Sequence, residues 1–196
     1  TITFMKTILR NSMFAIFLLG LSNFASAQIS FGPRIGLNFA TVAGVNNNAG
    51  YKVGMHIGGF AKINFSESIS FQPELLYSMK GCSYINGGGG LSLSYLDIPL
   101  LFNFGKNFHF QAGVQPSFLL AAQSKNGSGG TKTDVKKSLN GFDIAPVLGL
   151  GYTLNNGLNF GLRFSYGIPD IIKNNTGKSQ HNFNTQLTFG YAFGGK

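Results

Sequence analysis

Side chains capable of catalysis are scarce in this chain, with three histidines, one cysteine and six acids among 196 residues. His56, His109 and His181 are the candidate general bases, and one of them, with a serine and an acid, would make a lipid-modifying hydrolase. That constellation does not assemble, because no Gly-x-Ser-x-Gly elbow or other nucleophile context is present. A zinc centre needs ligands at regular close spacing, which Cys82 and three scattered histidines do not supply. The run Gly87-Gly88-Gly89-Gly90 invites a phosphate-cradling reading, but no Lys-Ser or Lys-Thr follows it. The expectation is a protein that is not an enzyme, with no catalytic, cofactor-binding or metal-binding residue assigned and no cofactor.

The remaining chemistry is charge. One group comprises Arg34, Lys52, His56, Glu74, Lys80, Asp97, Asp143 and Arg163. Gathered inside a fold they would form either a proton relay or a structural network, and the latter is expected because buried charges must be paired. The second group is Lys125, Lys132, Lys136 and Lys137, offset locally by Asp134 alone, with Lys173 and Lys178 further on. Such lysines suit the phosphates of a lipopolysaccharide surface. Nucleic acid is not expected, since the lysines are not interleaved with stacking aromatics.

What positions these residues is a period of two. In Phe31-Gly32-Pro33-Arg34-Ile35-Gly36-Leu37-Asn38-Phe39 apolar residues alternate with small or polar ones. The pattern recurs and predicts eight strands at about 29–40, 51–63, 69–81, 93–104, 108–121, 141–154, 158–168 and 182–193. Short turns at 64–68, 105–107 and 155–157 alternate with long polar segments at 41–50, 82–92, 122–140 and 169–181. Alternating turns and loops fit an outer-membrane barrel.

Parity decides the environment. One face carries Phe, Leu, Ile, Val and Tyr from every strand and no charge. The other interleaves glycines with the first charged group and Lys62. Small residues beside paired charges suit a narrow barrel interior. The composition agrees, with 28 Gly, 20 Phe, no Trp, 11% charged residues and a mean hydropathy of +0.12. An ordinary soluble domain has about 25% charged residues. A soluble lipocalin-like barrel binding an apolar ligand is the alternative, but its outer face would be dense in Lys, Glu and Thr rather than Gly. Prolines 33, 73, 116 and 146 lack a ladder donor and predict bulges or breaks.

Residues 1–27 read as a cleavable signal peptide. Lys6 and Arg10 supply its charge, 13–21 its apolar core and Ala25-Ser26-Ala27 its cleavage site, with Met5 as the expected start and residues 1–4 upstream of it. The domain organisation is therefore 1–27 leader and 28–196 barrel. Cys82, alone, excludes an internal disulfide and is expected as an exposed thiol or an inert residue at a strand end.

Several segments resemble the PorT-like outer-membrane β-barrel proteins of Bacteroidota. Gly32-Pro33-Arg34-Ile35-Gly36-Leu37-Asn38 is similar to their first strand and Phe71-Gln72-Pro73-Glu74-Leu75-Leu76-Tyr77-Ser78-Met79-Lys80-Gly81 to their third. Tyr95-Leu96-Asp97-Ile98-Pro99-Leu100-Leu101 resembles the fourth, and Gly149-Leu150-Gly151-Tyr152 the sixth. The resemblance implies an eight-stranded antiparallel up-and-down transmembrane β-barrel in the outer membrane. It also implies insertion by the barrel-assembly machinery, which Phe193 near the terminus resembles a signal for, although Gly194-Gly195-Lys196 follow it. It assigns no activity, and no residue here matches a known role in the protease secretion linked to the member that names the family. The expected role is structural or interactive, through long loops that meet lipid, lipopolysaccharide or a protein partner, with no open pore.

Overall fold

The computed structural model describes residues 28–44, 49–84, 88–127 and 129–194. The leader at 1–27 and Gly87 lie outside the described residues. Strands β1 (Gln28–Ala43), β2 (Ala49–Gly50), β3 (Lys52–Asn64), β4 (Ile69–Tyr84), β5 (Gly90–Asp97), β6 (Leu100–Gly105) and β7 (Phe108–Lys125) are followed by β8 (Lys132–Asp134), β9 (Phe142–Thr153), β10 (Leu158–Tyr166) and β11 (His181–Tyr191). β5 and β6 are two halves of one stave, while β2 and β8 are short additions at the loop end. The eight staves pair antiparallel in chain order. The ring closes where Arg34–Ala43 of β1 meets His181–Gly190 of β11.

Every stave buries one parity and exposes the other. The predicted apolar face is the outer one: Phe31 is 62% exposed, Val53 63%, Phe110 60% and Leu148 66%. The inner parity holds polar side chains with almost no solvent contact, among them Arg163, Asn38 and Gln186. In water this arrangement would leave a continuous apolar belt uncovered. In lipid the belt is the solvated face, and closure leaves no unpaired strand edge.

The glycines explain how eight staves enclose such large side chains. Gly36 lies opposite His56 in the β1–β3 ladder, Gly149 opposite Arg163, Gly151 opposite His109 and Gly190 opposite Asn159. A Cβ at Gly36 would sit 2.5 Å from the His56 ring, one at Gly149 2.9 Å from the Arg163 stem and one at Gly190 2.6 Å from Asn159. Each small residue leaves the space that its cross-strand partner fills.

The prolines behave in two ways, and the break at Pro99 is not one of those expected. Around Pro73 the β3–β4 register is interrupted, and at Ile98-Pro99 the stave divides into β5 and β6. Ile98 N–H then donates to Pro116 O and Glu74 N–H to Pro99 O. Pro33 and Pro146, by contrast, sit in unbroken registers, because one missing donor leaves the rest of a long ladder intact. The bulge falls elsewhere, between Ser94 and Tyr95 of β5 opposite Leu119–Ala121 of β7.

The strands also run further toward the loop end than their periodicity predicts, to Ala43, Tyr84 and Lys125. Cys82 is consequently 1% exposed inside β4, which corrects the exposed-thiol reading in favour of the inert strand residue.

Two outcomes test this architecture. Unboiled protein is expected to migrate faster on a denaturing gel than boiled protein, and a water-soluble chain of single mobility would contradict the barrel. Gly149→Leu, which overpacks Arg163, is expected to lower stability by about 1–3 kcal/mol in denaturant titration from lipid vesicles.

Candidate functional site

The chemistry-bearing residues gather in the lumen, in two groups. Toward the end with the short turns, Glu74 of β4 is shared by two guanidinium groups. Arg34 Nη1 donates to its Oε1 at 2.7 Å, and Arg163 donates from Nη1 and Nη2 to the two carboxylate oxygens at 2.8 Å each. Gln72 donates a further bond to Glu74 at 2.6 Å. Arg163 Nε donates to Gln111, which donates to Asn103, and Asn103 donates in turn to Gln72 and Ser70. Arg34 reaches Asn159 at 2.6 Å and stacks over Phe60 at 4.5 Å. An ionised carboxylate in a dry interior requires this degree of compensation.

The second ion pair is Lys80 with Asp97, 2.8 Å apart, nearer the loop end. Tyr95 lies beside it, with the Lys80 ammonium 5.1 Å from its ring centre. Asn182 donates both to Tyr95 Oη, at 3.1 Å, and to Asp143, at 2.8 Å.

The expected single network is therefore divided. Arg34, Glu74 and Arg163 form one ionic cluster, and Lys80 and Asp97 another. His56 joins neither: its Nδ1 is 3.0 Å from Asn38 Oδ1, within an amide group that includes Gln186 and Asn184. Asp143 is held by an amide rather than a cation. Lys52 does not enter the ionic network at all. At the start of β3 its ammonium donates to Leu91 O at 3.2 Å and to the Ser92 hydroxyl, because the loop-end position is too far from the acids below.

Sequence reasoning missed two parts of this interior. The first is its stock of uncharged amides, including Asn38, Gln72, Asn103, Gln111 and Gln186, whose inward parity was the available signal. The second is an apolar plug. Leu91, Leu93 and Tyr95 point inward near the loop end and pack with Val42, Leu119, Leu139 and Ile171. Apolar residues were expected to face lipid alone, and that rule fails where the loops fold back over the barrel and also along the staves, where Phe60, Leu76, Leu101 and Val147 are buried inside.

Leu139 and Ile171 come from the two longest connections, which are stitched together. Lys173 N–H donates to Ser138 O at 3.0 Å, Asn140 N–H to Ile171 O at 2.8 Å, and Leu139 bridges Ile172. Of the predicted basic cluster, Lys125 and Lys132 face each other in the β7–β8 ladder, and Lys136 and Lys137 lie on the 3-10 turn Lys136–Ser138. Lys132, Lys136, Lys137 and Lys173 are exposed. The nearby acids are turned to local use. Asp134 accepts from Lys136 N–H at 2.8 Å, and Asp170 accepts from Ile172 N–H, Gln180 N–H and Asn175. Burial works against the Asp170 charge, but those donors hold its carboxyl below the usual carboxylate range. At the opposite end Lys106 donates to the fully exposed Glu67, and that hydrogen bond likewise lowers the Glu67 carboxyl.

A closed antiparallel ring with an apolar exterior, a packed polar interior and loops at one end defines an integral outer-membrane β-barrel. The chain belongs to the outer membrane protein beta-barrel domain family, whose model matches residues 22–173. Among solved structures it is similar to Neisserial surface protein A, at 14% identity and a TM-score of 0.57, over 83% of this chain and 97% of that one. It is also similar to Ail, the attachment invasion locus protein of Yersinia pestis, in complex with the heparin analogue sucrose octasulfate. There the identity is 12% and the TM-score 0.50, over 85% and 99% of the two chains. These likenesses are of fold. No curated protein matches by sequence.

Glu74→Gln leaves Arg34 and Arg163 without their shared counter-charge and is expected to cost about 3–5 kcal/mol in vesicle-based denaturant titration. Glu67→Gln, at an exposed pair, is expected to leave the unfolding midpoint unchanged.

Proposed function

We propose that this protein is a non-enzymatic surface barrel whose membrane part holds a rigid pair of loops outside the cell and passes no solute. The observation that carries this reading is the stitching of the two longest loops into one unit, whose Leu139 and Ile171 plug the lumen from above. Below the plug, Arg163, His56, Gln186 and Asn38 fill mid-barrel with at most 1% exposure each, as expected of an eight-stranded barrel without a channel. A lipid-modifying role is disfavoured because His56 faces inward to Asn38, away from any lipid. A soluble barrel with an apolar pocket is disfavoured by the outward apolar belt, and its own loop residues Leu139 and Ile171 fill the apolar interior at the loop end.

The loops carry the interaction. Lys132, Lys136, Lys137 and Lys173 are exposed and outnumber the two loop acids Asp134 and Asp170, so the net outward charge is positive. Lys137 and Lys173 lie within a few residues of Phe142 and Ile168, which are 45% and 61% exposed on the lipid-facing side. That height is the headgroup level, where lipopolysaccharide phosphates are the natural partner. A surface protein is the other kind of partner the loops would engage. Within this reading the chain is a PorT-like barrel of Bacteroidota, exported by its cleaved leader and inserted by the barrel-assembly machinery.

Replacing Lys132, Lys136, Lys137 and Lys173 together with Gln is expected to weaken binding to lipopolysaccharide-containing vesicles at least tenfold at low salt, at roughly 1 kcal/mol per lysine. Equal binding by wild type and variant, or binding insensitive to salt, would contradict the assignment.

A further inference from the structure

We infer that the turn end of the barrel is an anion-binding vestibule, separate from the loops, which takes a compact oxyanion such as phosphate or a free carboxylate. A cavity of about 580 Å3 opens there, lined by Lys62, Asn64, Ser66, Asn107, Thr153 and Asn155. This volume lies within the roughly 300–1,000 Å3 range of small-molecule sites, and the lining is rich in hydrogen-bond donors.

The charge above and within this cavity does not balance. Lys62 is half-buried and has no carboxylate partner among the described residues, and the charge that acts on it most is the like charge of Arg34. Arg34 and Arg163 together share the single carboxylate of Glu74, leaving one excess positive charge behind the cavity. Arg34 Nε, on a residue 4% exposed, also has no hydrogen-bond partner. Arg34 is joined to the cavity wall through Asn159, which donates to Gly157 O in the turn that carries Asn155. The one carboxylate at the rim, Glu67, is neutralised by Lys106. A concave site with low-dielectric walls and uncompensated positive charge concentrates anions.

The shared ligand chemistry is a small oxyanion, whether a free phosphate or the carboxylate of a short polar molecule or chain terminus. In the outer membrane the short turns face the periplasm, so the ligand is a periplasmic one.

The test is calorimetric titration of the detergent-refolded full chain with inorganic phosphate, with acetate and with N-acetyl-glycylglycine. Saturable binding of at least one probe is expected, weakened about tenfold or more by Lys62→Gln and restored by Lys62→Arg, with both variants still heat-modifiable on gels. Preference for phosphate or for the two carboxylates identifies the source. Absence of saturable binding by all three probes, or equal affinity in wild type and Lys62→Gln, would overturn the inference.

Discussion

A sheet surrounded by hydrocarbon cannot leave an edge, because each unpaired N–H or C=O there costs several kcal/mol. The ladder joining Arg34–Ala43 of β1 to His181–Gly190 of β11 meets that constraint, and the rest of the structure is shaped by it. Closure at eight staves fixes a narrow bore. The bore then admits large polar side chains only where a neighbour gives way, hence the cross-strand pairing of glycine with His56, His109, Asn159 and Arg163. The high glycine content is therefore a packing device that lets charge be buried in a small barrel.

Burying charge has its own requirement. Glu74 is compensated by two guanidiniums and an amide, and the amides Gln72, Asn103 and Gln111 carry the bonding onward to Arg163. Such a layer is dense and directional, so it blocks the bore and ties staves together that are distant in the ring. In the proposed reading, function is thereby displaced to the two ends. One end is roofed by loops whose apolar residues turn inward and whose lysines turn outward. The other is an open polar vestibule beneath an excess of positive charge.

Much of this was legible as alternation alone. The inward parity of Arg34, Glu74, Asp97 and Arg163 and the outward parity of Phe31, Val53 and Leu148 follow from a period of two, which depends on local backbone geometry. The partners of each charge did not follow, because register across the ring is a non-local property. Lys52 shares the inward parity of Arg34 but sits too near the loop end to reach an acid. Leu91, Leu93 and Tyr95 were illegible for a different reason. Their apolar character is the same in a plug as on a lipid belt, and only the return of Leu139 and Ile171 over the barrel distinguishes the two.

The central claim, that the apolar parity faces lipid and the other faces a sealed interior, is tested most directly by methyl NMR of the barrel in nanodiscs. Adjacent residues provide the comparison: Leu75 is 54% exposed and Leu76 0%, while Leu148 is 66% exposed and Val147 1%. A spin label on the lipid acyl chain is predicted to broaden Leu75 and Leu148 and to spare Leu76 and Val147, with a water-soluble gadolinium complex broadening none of the four. Broadening of Leu75 and Leu148 by the gadolinium complex, or of Leu76 and Val147 by the lipid label, would contradict the account.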